Sequence, residues 1–151
     1  MTLYYLDSTA WLQYYIREAG SEKVAALFTP STILACASFG FIEVVVTLSR
    51  LANSGKISKD DLDHKIHELE NDWTQFLQVH PSSRVIKLTE AVALKHDLSP
   101  ERALHLASAI AVHEHSQNSG ADTMTTFVST DPELLVLAAK YDLITSNLTT
   151  T

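Results

Sequence analysis

The run Leu3-Tyr4-Tyr5-Leu6-Asp7-Ser8-Thr9 decides the fold. Four apolar residues stop abruptly at a carboxylate, and two hydroxyl residues follow. A burst this short, with no polar residue alternating through it, predicts a buried strand, and the polar residues behind it predict a helix start. The pattern recurs at Ile33-Leu34-Ala35-Cys36 and Phe127-Val128-Ser129, with Leu143-Ile144 as a closing strand.

Between these runs, apolar residues recur three and four apart. Trp11 to Ile16 forms one such stretch, and after Gly20 a second begins at Ser21 with Val24, Leu27 and Phe28. Phe39, Ile42, Val46 and Leu51 predict a helix that Ser38 can cap and Asn53-Ser54-Gly55 stops. Ser58 with Asp61 announces a helix from about Lys59 to Phe76. Pro81-Ser82-Ser83 leads into a short apolar element, and Thr89 caps a helix through Leu94. Ser99-Pro100 starts a smooth helix over Leu104, Ala107 and Ala111, Gln117 to Asp122 reads as a loop, and Asp131-Pro132 opens a helix through Lys140. Short apolar strands alternating with helices predict an α/β fold with a parallel sheet covered on both faces. One domain over residues 1–151 accounts for the chain.

Composition narrows the chemistry. An apolar share of 46% excludes a mainly disordered chain, and a single cysteine, Cys36, excludes a disulfide framework or a Cys-rich metal site. Lys and Arg number 11 against 18 Asp and Glu, a net charge of −7, so the long-range field does not attract nucleic acid. An acidic nuclease site remains compatible with that charge, and a basic partner suits it. No basic leader and no run near 18 apolar residues stands at the start, which predicts a soluble, cytoplasmic protein away from the membrane. Four scattered glycines form no phosphate cradle, and Thr9 stands where a haloacid-dehalogenase-type phosphatase needs a second Asp.

Ligands of open α/β sheets gather at the carboxyl ends of the strands. Asp7 ends the first strand, Asp131 follows the Phe127-Val128-Ser129 strand, and Glu43 lies in the helix after the Ile33–Cys36 strand. Carboxylates gathered in one cleft repel unless cations neutralise them, and an all-oxygen set suits Mg²⁺ or Mn²⁺. Plainer roles fit the same residues: Asp7 and Asp131 as helix caps, Glu43 as a solvated position.

The segment Tyr5-Leu6-Asp7-Ser8-Thr9-Ala10, then Phe41-Ile42-Glu43-Val44, Ala103-Leu104-His105-Leu106-Ala107, and Phe127-Val128-Ser129-Thr130-Asp131 resemble, in order, the four segments of PIN-domain ribonucleases, especially VapC-like toxins of toxin–antitoxin pairs. The resemblance spans about residues 3 to 144. It implies a PIN-like three-layer sandwich and a divalent-metal-dependent endoribonuclease that cuts RNA, forms a homodimer and is inhibited by a small antitoxin. It further implies Asp7, Glu43 and Asp131 as catalytic residues and metal ligands, with Ser8 or Thr9 and Ser129 or Thr130 as rim hydroxyls. The third acidic position departs from the family: Asp is expected before Ala103, and Arg102 stands there. Arg102 either leaves a weakened three-acid site, binds an RNA phosphate, or ion-pairs with Asp7 or Glu43 and leaves a binder of RNA or of an antitoxin-like partner. His105 reads as a core histidine with one hydrogen-bond partner.

Overall fold

The computed structural model describes residues 2–120 and 123–149. Among the described residues five strands form one sheet: β1 (Thr2–Leu6), β2 (Thr32–Ala37), β3 (Leu77–Val79), β4 (Thr125–Ser129) and β5 (Ile144–Asn147). Their order is β3-β2-β1-β4-β5, and all pairs are parallel. The helices are α1 (Ser8–Leu12), α2 (Ser21–Ala25), α3 (Ser38–Asn53), α4 (Lys59–Trp73), α5 (Ser83–Lys95), α6 (Pro100–Asn118) and α7 (Pro132–Ala139). The expected α/β sandwich with a parallel central sheet is present.

Side-chain alternation along each strand divides the interior into two cores. Leu3, Tyr5, Ala35 and Phe127 pack with α5, α6 and α7 on one face. Leu6, Leu34, Cys36 and Val128 pack with α1 to α4 on the other, around a fully buried Trp11. The Trp11 ring stacks on Phe76 at 4.5 Å, and its indole N–H donates to the Tyr15 hydroxyl, which donates to Asp72. Both faces being dry explains why the strands read as continuous apolar runs.

Several local expectations change. β3 carries only one apolar residue at each end, Leu77 and Val79, too few for a sequence signal. The helix expected from Thr89 begins instead at Ser83: the Ser82 hydroxyl accepts from Val85 N–H, while Thr89 sits mid-helix and donates to Val85 O. Ala37, rather than Ser38, occupies the N-cap of α3, and no side chain caps it. The helix around Trp11 ends at Leu12, and α4 ends at Trp73. α6 reaches Asn118, inside the expected loop, and residues 121 and 122 of that loop lie outside the described residues. Among the described residues no helix is long and apolar enough to cross a membrane.

The connections from β1 to β3 run over one face, and those from β3 to β5 over the other. The order therefore reverses between β1 and β4. A crevice opens at such a switch point, outside the carboxyl ends of the strands.

Candidate active site

Asp7 stands at that crevice, immediately after β1, and is 2% exposed. It is also the N-cap of α1, so the plain and the functional roles coincide. Its Oδ1 accepts from Ala10 N–H (2.9 Å) and from the Thr9 hydroxyl (2.6 Å), and its Oδ2 accepts from the Ser129 hydroxyl at 2.5 Å. Burial pushes this carboxyl above its ordinary range. The neighbouring His105 and the donors from Ser129, Thr9 and Ala10 pull the other way.

The end of β4 is tied into the same network. Ser129 Oγ accepts from Asp131 N–H at 3.0 Å, and Thr9 Oγ1 accepts from Thr130 N–H at 3.2 Å. Thr9, Ser129 and the Thr130 backbone thus line the rim beside Asp7, whereas the Ser8 hydroxyl takes no part. Asp131 caps α7 through Oδ1, which accepts from Glu133 N–H and Leu134 N–H. Its Oδ2 is turned to Arg102, whose Nε donates at 2.8 Å, and Arg102 Nη2 stands 3.6 Å from Glu133. The expectation that Arg102 pairs with Asp7 or Glu43 is corrected: α6 presents it to α7. The Asp131 bond raises the guanidinium pKa further, so Arg102 stays cationic.

Glu43 faces inward from α3, with its side chain 23% exposed, rather than lying on a solvated face. Its Oε1 is 2.6 Å from His105 Nε2, and His105 Nδ1 is 2.8 Å from the Tyr5 hydroxyl. His105 therefore has two partners, not one. Tyr5 was invisible as a site residue because an aromatic in a buried strand reads as core; only its position two residues before Asp7 hinted at the rim.

The donors suit a hard cation by chemistry, all being oxygens. Their arrangement does not. Among the described residues no three His, Cys, Asp or Glu side chains stand together as a metal cage. A cation would compete with His105 for Glu43 and with Arg102 for Asp131, so the side chains as placed do not fit Mg²⁺ or Mn²⁺.

No protein-family model matches the chain. It is 27% identical over 112 residues to ribonuclease VapC45 of Mycobacterium tuberculosis, covering 74% of this chain and 78% of that protein. The fold is similar to VapBC-1 from nontypeable Haemophilus influenzae, with TM-score 0.64, 10% identity and coverage of 99% and 100%. It is also similar to VapBC2 from Rickettsia felis bound to a promoter DNA fragment, with TM-score 0.63, 14% identity and coverage of 97% and 98%. In sequence the chain is thus similar to a VapC ribonuclease, and in fold to chains of VapBC complexes.

Proposed function

We propose that the chain is a ribonuclease toxin of the VapC type, with residues 1–151 working as a single PIN-like unit on RNA in the cytoplasm. One observation carries the reading: a buried carboxylate, Asp7, sits at the switch point of the sheet with rim hydroxyls aimed at it. Burying an acid there costs stability, and such a cost is typical of groups held for chemistry. The name of the VapC45 relative supplies the substrate class, RNA.

Asp7, Glu43 and Asp131 are the catalytic residues of this reading, and the hydroxyls of Thr9 and Ser129, with Thr130 at the rim, orient the phosphodiester. The divalent ion, Mg²⁺ or Mn²⁺, enters as a variable of the assay, because the side chains as placed form no cage for it. A small antitoxin is the partner, as in the VapBC complexes, and two copies pair as a homodimer. The exposed apolar stripe of α3, Phe39, Ile42 and Val46, suits such an interface.

A second reading has its own observation. Arg102 neutralises Asp131 in place of a further acid, which favours a catalytically weak protein that binds RNA or an antitoxin-like partner.

RNA cleavage by the purified protein with and without Mg²⁺ or Mn²⁺ separates the two. We expect cleavage that Asp7→Asn abolishes and Arg102→Asp increases. Cleavage unchanged in Asp7→Asn refutes the site. RNA retention in a gel shift, with no cleavage by the wild type and a gain only in Arg102→Asp, selects the binder.

A further inference from the structure

The hydrogen bonds that run from the core to Glu43 have a direction. Tyr5 is wholly buried, and its oxygen accepts from Ala37 N–H at 3.1 Å. A phenol carries one hydrogen, and His105 Nδ1, at 2.8 Å, is the acceptor placed to receive it. If Nδ1 carried the ring proton instead, the Tyr5 hydrogen would have to turn to the nearby Ser108 hydroxyl, and a bare Nε2 would face the Glu43 carboxylate with no hydrogen between them. Nδ1 is therefore bare, and the single ring proton lies on Nε2, aimed at Glu43 Oε1 at 2.6 Å.

A second feature makes room for this chain. Gly40 lies three residues before Glu43 on α3, and a Cβ there would collide with Cys36 Sγ and stand 3.0 Å from His105 Cε1. The glycine lets α6 bring the imidazole against α3.

We propose that Tyr5 and His105 are positioning residues for Glu43: Tyr5 fixes the neutral, Nε2-protonated imidazole, and His105 then holds Oε1 at the rim while Oε2 remains for chemistry. The assignment of chemistry to Glu43 rests on the ribonuclease reading above; the tautomer and its grip on the carboxylate do not. A His105 that merely filled space would need no particular tautomer and no particular donor.

Nitrogen and carbon NMR of the labelled protein tests this without any assay of activity. Near neutral pH the His105 signals should show one proton on Nε2 and none on Nδ1. Tyr5→Phe retains the ring stacked on Phe127 (5.6 Å) and should move the Nδ1 resonance to that of an unbonded nitrogen. His105→Leu should shift the Glu43 carboxyl carbon, and His105→Gln, whose amide can still donate, should keep it near the wild-type value. In the RNA assay, His105→Leu should lose about 10–100-fold and His105→Gln should recover most of it. A proton on Nδ1, an Nδ1 signal indifferent to Tyr5→Phe, or equal Glu43 shifts in the Leu and Gln variants would overturn the proposal. Silence of the wild type towards RNA, with the NMR results as expected, would instead sink the ribonuclease reading and leave the grip on Glu43 standing.

Discussion

Asp7 shows how one residue serves two ends at a cost. Its carboxylate caps α1 and gathers two hydroxyls, yet burial still raises its pKa. A folded-state pKa above the unfolded value means that the folded chain binds the proton more tightly. The stability this group contributes is present at acid pH and lost as pH rises through the folded pKa. Asp7→Asn removes that titration. We expect the variant to have a higher urea midpoint than wild type at pH 7, with the advantage shrinking towards about pH 4, the ordinary aspartate range. An advantage that did not vary between those two pH values would contradict the shift. Cys36 differs: burial first, and then the Asp7 and Glu43 carboxylates nearby, push its thiol up and keep it neutral.

At the scale of elements, caps decide where helices start, and α5 starts one cap earlier than Thr89 suggests. Both Ser82 and Thr89 are residues that favour caps. Ser82 performs the role, accepting from Val85 N–H, while Thr89 donates to the carbonyl one turn back, as hydroxyl residues do inside helices. Replacing Ser82 by Ala should cost about 1 kcal/mol in denaturant unfolding, with Thr89→Ala costing less. Reversal of that order would place the helix start at Thr89 after all. α6 shows why a low-contrast helix can still carry a site. It is buried along much of its length, with Ala103, Leu106, Ala107 and Ala109 in the core, yet it sends Arg102 to α7 and His105 to α3. The small alanines let neighbouring elements approach closely enough for these two side chains to reach.

For the whole molecule, the sheet is a wall between two separate cores, and the Trp11 side is the more aromatic. Trp11, Phe76, Trp73 and Phe41 lie ring against ring, and the indole N–H is satisfied by Tyr15. Trp11→Ala leaves a large cavity against β1, and its loss should be roughly 3–5 kcal/mol. For a chain of this length each kcal/mol moves the midpoint by about 2–4 °C, so a thermal melt will show it. A shift of no more than a degree or two would mean that this cluster is not the main support of its face.

The linear order of residues was enough for the layered α/β architecture. Leu3–Leu6, Leu34–Cys36 and Phe127–Val128 are covered on both faces of the sheet, with Ile33 at the start of β2 exposed, and a stretch covered on both sides is largely apolar. It was enough, too, to bring Asp7 and Asp131 to the carboxyl rim, since they stand one and two residues after the ends of β1 and β4. β3 escaped notice because three residues at the sheet's edge need little apolar surface. What side chains do at the rim was decided in three dimensions. Arg102 pairs with Asp131 rather than Asp7 or Glu43, and His105 joins Tyr5 to Glu43 across three elements, from residues 5, 43 and 105. Periodicity reports which way a residue faces relative to its own element. The partner it meets depends on how neighbouring elements dock, and that is settled by packing between cores.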